Sequence, residues 1–409
     1  MEPREVITVV AIILAAGLAA RLLASALRLP EMLVLLAAGA IVGPSVLGWI
    51  DVPLDADGTQ VLLTLGVSFI LFHGGLRLSL RVLAKSAVGI GLLVVPGVVL
   101  TAAITGSVAA AAFGVDPLVG LLVGAVLAPT DPAILVPLFD RMRIRPKVVQ
   151  TIVAESALND PTGAVLALAL AGAVASGSES LSRPALEFVE DVAISTAIGV
   201  AFGLLLALVV SSRRTGVWRE SSGIAVITVV AASYASIDFA GGSGYLGAFL
   251  AGVIVGNMGE FRHRMHPHHE HEVETVVGAV ADVAVILVFV ILGADLPFAA
   301  IGDEWLPAIG VVAVLIFVAR PVTVAACLYA DRRGEWRREE ILFIAWTRET
   351  GVVPAALAGI LVADAVEGAE IVTVCVAVAL VVSVALQSTT KPWLARRLGL
   401  GHETAVNDV

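Results

Sequence analysis

The segment AESALNDPTG, residues 154–163, interrupts a long apolar run with two acids and an amide, Glu155, Asp160 and Asn159. The segment LAPTDPAIL, residues 127–135, does the same with Asp131. A charged side chain among apolar neighbours is costly, so it needs a partner, a bound ion or a water-filled cavity. The composition of the whole chain indicates which kind of protein provides that setting.

The composition is that of a membrane protein. Of the 409 residues, 58% are hydrophobic and only 15% are charged, and the mean hydropathy is +0.98. A soluble domain is usually about a quarter charged. We therefore predict a single all-α transmembrane domain over residues 1–397, followed by a short cytoplasmic tail over residues 398–409. The net charge of −10 argues against a nucleic-acid partner.

The apolar runs predict about thirteen transmembrane helices, because a span needs roughly 20 apolar residues. Their approximate cores are 6–28, 31–50, 59–79, 87–112, 117–138, 148–174, 189–211, 221–239, 244–257, 273–293, 304–329, 339–362 and 368–390. With the N-terminus outside, all but four of the 25 lysines and arginines fall in cytoplasmic segments. Lys391 is one of the residues placed in the cytoplasm. This asymmetry follows the positive-inside rule and predicts a cytoplasmic C-terminus in a cell (inner) membrane.

The exceptions to that asymmetry include two arginines, Arg320 and Arg348, which lie inside apolar runs like the acids. Charges at such depth normally face the interior of a helix bundle or a cavity, usually with partners. Ser156 and Asp160 are four residues apart and so share a helix face, which makes an oxygen-rich patch suited to a hard cation. The alternative is a set of ion pairs that only fixes helix packing.

Two predicted spans also contain helix-breaking residues. Pro129 and Pro132 flank Asp131 in the fifth span, and Gly351 and Pro354 follow Arg348 in the twelfth. Interrupted helices within a membrane occur where they line a cavity, and a matched pair indicates an inverted-repeat transporter with a site at the midplane. We predict inverted repeats at approximately 31–174 and 244–390; harmless kinks are the alternative.

Four motifs carry a resemblance to a known family: LAPTDPAIL, AESALNDPTG, FVARPVTV and TRETGVVPAALAGIL. Together they resemble the cation–proton antiporters, in the branch of the sodium/proton exchangers, and the likeness covers residues 6 to about 397. The resemblance implies an inverted-repeat antiporter fold, with a dimerisation domain, a mobile core domain and two broken helices that cross at the site. It also implies a homodimer.

The resemblance also implies roles for the polar residues. Asp160 would carry the cation and the proton in turn, while Thr130, Asp131 and Ser156 would supply further oxygens or set the crossing of the broken helices. Asn159 would steady the site, and its amide in place of a second acid implies electroneutral one-for-one exchange. Glu155 would pair with Arg320 in the core, and Arg348 would lie near the broken twelfth helix, opposite Asp131.

The chain departs from the family pattern at two positions. His73 stands in LFHGGL where an acid is common, and Glu349 follows Arg348 where many exchangers have glycine. We interpret His73 as an ordinary polar residue at a helix end. Asp238 and Asp282 receive no role from the sequence. The loop FRHRMHPHHEHEVE is either a sensor of cytoplasmic pH or a solvated loop with incidental metal affinity, and it holds His263, His266, His268, His269 and His271.

The predicted function is secondary antiport of Na⁺, with Li⁺ as a second substrate, against H⁺, without a cofactor or a metal beyond the transported cation. The nearest alternative is K⁺/H⁺ antiport by the same fold. An intramembrane metalloprotease would need histidine ligands within the spans, and the sequence offers only His73, at the end of one span. A channel would not need a carboxylate that must be neutralised before turnover, and a purely structural role would leave the buried charges unexplained.

Overall fold

The computed structural model describes residues 3–27, 29–51, 56–81, 87–130, 144–177, 182–210, 221–259, 267–296 and 298–400. Within these ranges the chain is helical and contains no β-strand. The α-helices are, in order, α1 Pro3–Leu27, α2 Glu31–Val42, α3 Asp57–Arg77, α4 Ala87–Val94, α5 Pro96–Phe113, α6 Pro117–Leu127, α7 Pro146–Ala175, α8 Ser182–Val210, α9 Ser222–Phe239, α10 Gly244–Gly256, α11 Pro267–Ala294, α12 Phe298–Val314, α13 Arg320–Ala330, α14 Arg338–Trp346, α15 Val352–Ala363, α16 Ala369–Ser383 and α17 Thr389–Arg397.

Nine helical stretches of the described chain are long and apolar enough to cross a membrane. They are Arg4–Leu27, Gly58–Arg77, Ala87–Phe113, Lys147–Ala175, Phe188–Val210, Ser222–Phe239, Glu270–Ala294, Glu304–Ala330 and Ala369–Gln387. Four shorter apolar helices, α2, α6, α10 and α15, fall within the remaining predicted spans. The all-α membrane architecture is therefore confirmed, whereas the count of thirteen spans and the inverted repeats stay predictions.

The twelfth predicted span is interrupted in the structure. Helix α14 ends at Trp346, and α15 begins only at Val352, so residues 347–351 form a non-helical link. Pro354 lies in the first turn of α15, where its missing N–H costs nothing because the N–H groups of a first turn have no partner within the helix.

The fifth predicted span is interrupted as well. Helix α6 ends at Leu127, and residues 128–130 are not helical. Pro129 has no N–H with which to continue the helix. Asp131 and Pro132 lie outside the described residues.

Two π-helical segments lie within the eleventh and the thirteenth predicted spans. Leu315–Ala319 separates α12 from α13, and Val384–Ser388 separates α16 from α17. Such segments are rare and often mark functional sites, because the extra residue re-aims the side chains that follow. Here they directly precede Arg320 and the first turn of α17, which contains Lys391.

The contacts within the chain divide it into two compact units. The first unit comprises Met1–Leu80, Ala164–Leu296 and Ala355–Ala369, and the second comprises Arg81–Gly163, Pro297–Pro354 and Glu370–Val409. Every site residue predicted from the sequence belongs to the second unit. The division into a transmembrane domain of 1–397 with a separate tail stays a prediction.

Glycines allow close helix packing in each unit. In the first unit, Gly75 of α3 faces the backbone of Phe249 in α10, and Gly252 faces that of Phe72. In the second unit, Gly124 of α6 faces the carbonyl oxygen of Ala102 in α5. A Cβ atom at any of these positions would collide with main-chain atoms. Small residues that let helices approach this closely are typical of membrane bundles.

Candidate functional site

The end of α6 is joined to α7 by a small network of buried polar groups. The side-chain oxygen of Asn159 accepts a hydrogen bond from the backbone N–H of Thr130 at 3.2 Å, and its amide nitrogen donates to the Thr130 hydroxyl at 2.8 Å. The hydroxyl of Ser156 donates to the Thr130 carbonyl oxygen. The helix break thus exposes polar backbone groups at Thr130, and α7 provides partners for them, as an apolar environment requires.

Asp160 follows Asn159 in α7 and differs from its neighbours in exposure. Ser156 and Asn159 are buried, whereas Asp160 is partly exposed. The next residue, Pro161, lies inside the helix and donates no backbone hydrogen bond to the preceding turn. The carboxylate therefore lies beside a locally weakened helix, one residue from the side chain that fixes Thr130. Asp131, the other predicted acid of the site, lies outside the described residues.

Glu155 and Arg320 form a buried ion pair between α7 and α13. Both guanidinium Nη atoms donate to the carboxylate, with Nη2 2.9 Å from Glu155 Oε2, and the two side chains are 2% and 4% exposed. Arg320 Nη2 also lies 3.3 Å from the carbonyl oxygen of Ile344 and 3.5 Å from that of Thr347. The arginine therefore connects α7 to the end of α14. Removing one partner of such a pair typically costs about 3–5 kcal/mol.

Arg348 connects the two interrupted helices. It lies in the non-helical link between α14 and α15, is 1% exposed, and donates from Nη2 to the carbonyl oxygen of Leu127. The same nitrogen is 3.4 Å from the carbonyl oxygen of Pro129. The last carbonyl groups of a helix have no partner within it and carry partial negative charge. The guanidinium of Arg348 supplies that partner at the end of α6, immediately before Thr130.

A second buried pair, between Glu349 and Lys391, was missed by the sequence analysis. Glu349 Oε1 lies 2.6 Å from Lys391 Nζ, and the side chains are 1% and 0% exposed. The sequence analysis counted Lys391 only among the cytoplasmic basic residues, whereas its ammonium group is buried against Glu349 in the structure. The side of the membrane on which this segment lies stays a prediction. The sequence did contain a signal for this pair. Glu349 is an acid in the apolar twelfth span, at a position where many exchangers have glycine, and an acid there requires a cationic partner.

His73, Asp238 and Asp282, three further polar residues of the sequence analysis, belong to the first unit. His73 lies in α3 and Asp282 in α11, both in the first unit, and Asp282 Oδ1 is 3.4 Å from Arg21 Nη2. Asp238 is exposed at the end of α9. Of the histidines that the sequence analysis assigned to a loop, His263, His266 and the side chains of His268 and His269 lie outside the described residues. The loop prediction is wrong from Pro267 onward, because α11 begins there, and His271 is exposed on that helix.

Comparison with known proteins places these features in context. The family described as "Sodium/hydrogen exchanger, transmembrane" matches residues 9–397. The K(+)/H(+) antiporter NhaP of Alkalimonas amylolytica is 29% identical over 357 residues, which cover 86% of this chain and 59% of that protein. The K(+)/H(+) antiporter NhaP2 of Shewanella oneidensis is 29% identical over 91% of this chain and 63% of its own length. The chain therefore spans only about three fifths of these relatives.

Two matches from Methanocaldococcus jannaschii are closer in length. The probable Na(+)/H(+) antiporter 2 is 28% identical over 371 residues, which cover 88% of this chain and 85% of that protein. The solved structure of the sodium proton antiporter MjNhaP1 at pH 8 superposes with a TM-score of 0.85, covering 97% of this chain and 100% of that one at 24% identity. At this identity the superposition establishes the fold.

Proposed function

The chain belongs to the sodium/hydrogen exchanger family, and we propose that it is a secondary active antiporter that exchanges Na⁺ or Li⁺ for H⁺ by alternating access. The family is one of membrane transporters, and this chain is accordingly a multi-pass membrane protein. The chain covers 59% and 63% of the length of two curated relatives, so the activity of those whole proteins comes to this chain as a proposal.

One observation carries the proposal: a partly exposed carboxylate, Asp160, follows in α7 directly after Ser156 and Asn159, the residues that hold the polar groups of the helix break at Thr130. A carboxylate that binds a proton loses the negative charge that attracts a cation. Na⁺ and H⁺ therefore compete for Asp160, and this competition couples the two fluxes if the protein changes its access only when the charge is neutralised.

The neighbouring oxygens would complete the coordination of a hard cation. The hydroxyl oxygens of Ser156 and Thr130 keep acceptor lone pairs in addition to the hydrogen bonds that they make. Asp131 is proposed as a further ligand or as a residue that sets the crossing of the broken helices. Asn159 is proposed to steady Thr130. Because an amide does not titrate, only Asp160 of this adjacent pair exchanges a proton, which supports one-for-one, electroneutral exchange.

Glu155, Arg320 and Arg348 are proposed as supporting residues. The Glu155–Arg320 pair holds α7 against α13 and the end of α14, so that the helix bearing Asp160 keeps its position. Arg348 neutralises the end of α6. Neither arginine is proposed to contact the transported ion directly.

The alternative cargo is K⁺. Two of the relatives are named K(+)/H(+) antiporters, and another is named a probable Na(+)/H(+) antiporter, at nearly equal identity. We retain Na⁺ as the proposed substrate and K⁺ as the second candidate. In either case the protein would act in the cell (inner) membrane in pH homeostasis, as a homodimer without a cofactor, with its N-terminus outside and its C-terminus in the cytoplasm.

The decisive experiment replaces the proposed carrier. We expect Asp160→Asn, reconstituted in proteoliposomes, to lose Na⁺-, Li⁺- and K⁺-dependent proton movement, because an amide binds neither a proton nor a cation in this exchange. Asp282→Asn is the matched control: it makes the same change in a predicted span of the first unit, and we expect its exchange to stay near the wild-type rate. Wild-type exchange by Asp160→Asn would contradict the carrier assignment, and the relative rates with each cation identify the cargo.

A further inference from the structure

The buried pair of Glu349 and Lys391 has no part in the mechanism proposed above. Glu349 lies in the non-helical link of residues 347–351, and Lys391 is the third residue of α17. Their charged atoms are 2.6 Å apart and both side chains are fully buried. Packed apolar side chains at two such positions would usually give at least equal stability. The pair is therefore better explained by a requirement to hold the link and α17 in one defined arrangement.

The link is attached to the neighbouring helix at two points. Ser383, Gln387 and Lys391 follow one another at intervals of four residues, the spacing that places side chains on one face of a helix. Ser383 accepts a hydrogen bond from the backbone N–H of Thr350 at 3.1 Å, and Lys391 binds Glu349. Gln387 is fully buried between these two anchors. Two consecutive link residues are thus fixed to one helical stripe, which restrains both the position and the rotation of the link.

The orientation of Arg348 depends on this attachment. Only Nη2 of its guanidinium makes hydrogen bonds within the described chain, whereas Nε and Nη1 have no partner there. A side chain held at one end by a single nitrogen takes its orientation from its own backbone. That backbone directly precedes Glu349, so the ion pair with Lys391 sets where the guanidinium meets the carbonyl groups of Leu127 and Pro129.

Those carbonyl groups belong to residues that immediately precede the proposed cation site at Thr130. Pro129 precedes Thr130, whose backbone N–H, carbonyl and hydroxyl are bonded to Asn159 and Ser156. We propose that Glu349 and Lys391 are positioning residues that set the cation affinity of the site around Thr130 and Asp160, acting through Arg348. This inference rests on the proposed antiport function.

The test compares single and double removal of the pair in the reconstituted protein. We expect Lys391→Met and Glu349→Gln each to lower the thermal unfolding temperature in detergent, because each removes one partner of a buried ion pair. We also expect each to raise the apparent KM for Na⁺ and the calorimetric Kd for Na⁺ about tenfold, because a shift of Thr130 would misplace an oxygen that coordinates the cation. The maximal rate should change less. Lys391→Arg keeps the charge and should retain most of the affinity.

The double variant Glu349→Gln with Lys391→Met separates positioning from packing. It removes both charges of the pair together, so its unfolding temperature should recover, whereas its Na⁺ affinity should stay low because Glu349 no longer anchors the link to α17. Recovery of both properties, or single variants that lose stability with unchanged KM and Kd, would overturn the proposal. Lys147→Met is the matched control in the same unit, where Lys147 lies 3.6 Å from the ring centroid of Trp336, and it should not alter the Na⁺ affinity.

A failure of the proposed antiport would be distinguishable from a failure of this inference. If the wild-type protein shows no cation-dependent proton movement, the function proposed above is wrong. The calorimetric Kd values still compare the variants in that case, because they do not depend on transport. If the wild type exchanges cations and the Kd values of wild type and variants agree, only the positioning role is wrong.

Discussion

At the scale of single residues, Asn159 shows why an amide suits the helix break. Its side chain accepts from the Thr130 N–H and donates to the Thr130 hydroxyl at the same time. An ionised carboxylate offers only acceptors. Asn257 in the first unit has an equivalent arrangement, since it accepts from the N–H of Leu80 and donates to the carbonyl oxygen of Leu78. The same physical solution thus holds an irregular backbone segment in each unit.

We predict that Asn159→Ala lowers both stability and cation affinity. The substitution leaves the buried N–H of Thr130 without its partner, which costs about 1–3 kcal/mol of the free energy of unfolding. It also releases Thr130 from α7, so the apparent KM for Na⁺ should rise. Thermal unfolding in detergent and exchange rates in proteoliposomes measure the two effects.

Asn257→Ala is the control for that prediction, because it removes a similar pair of hydrogen bonds in the first unit. We expect a comparable loss of stability with an unchanged KM. If both variants raise the KM equally, the effect of Asn159→Ala reflects general destabilisation, and the proposed role of Asn159 at the site is wrong.

The residues that could be predicted from the sequence are those whose burial is unfavourable without a partner. Glu155, Arg320 and Arg348 lie in apolar runs, so the sequence alone indicates that they need compensation, and the structure places Glu155 against Arg320. Lys391 was not recognised because it precedes Arg396 and Arg397 in the same polar segment, where a solvated lysine is the usual expectation. Its burial depends on the position of Glu349, which local sequence does not determine.

At the scale of helices, the interruptions were accessible to sequence analysis and the π-helical segments were not. Proline removes a backbone donor, so Pro129 has a local effect on any helix that contains it. The segment Leu315–Ala319 has no helix-breaking residue of its own. A weaker signal was present, since Pro321 follows that segment and Pro392 follows Val384–Ser388. Each proline deprives an earlier carbonyl of its partner, but the choice between a kink and a π segment depends on tertiary packing.

Helix α6 packs closely on α5 at Gly124, and we predict that Gly124→Val disturbs the site from a distance. The added Cβ would collide with the carbonyl oxygen of Ala102. Overpacking of this kind costs about 1–3 kcal/mol, and the shift of α6 would move Thr130 relative to Asn159. Thermal unfolding and the Na⁺ dependence of exchange should therefore both be impaired.

Gly91→Ala is the matched glycine control, since a Cβ at Gly91 in α4 of the same unit would have no atom of the described chain within 4 Å. Alanine favours a helix over glycine by about 0.5–1 kcal/mol, so this variant should unfold at an equal or higher temperature and keep its Na⁺ dependence. Wild-type behaviour of Gly124→Val would show that the packing of α6 on α5 does not determine the geometry of the site.

At the scale of the whole molecule, the hydrophobic surface is consistent with a bilayer as its surroundings. Large apolar side chains such as Ile7, Leu22, Ile224 and Phe239 are more than half exposed. In water such exposure would favour aggregation, whereas lipid tails provide an apolar environment at no such cost. Composition was therefore sufficient to predict the membrane setting. The division into two compact units was not predictable from the spans, because both units combine segments that are distant in sequence.

The predicted orientation of the protein in the membrane can be tested by labelling cysteines introduced on either side. Both native cysteines, Cys327 and Cys375, are buried, so a membrane-impermeant maleimide should label the wild-type protein weakly. Ser176 and Arg333 are exposed and follow predicted spans that end on opposite sides. With the N-terminus outside, Ser176→Cys should be labelled in right-side-out vesicles and Arg333→Cys only in inverted ones, because basic segments remain in the cytoplasm. The reverse pattern would invert the topology, and labelling of both on one side would mean that the number of spans between them is even.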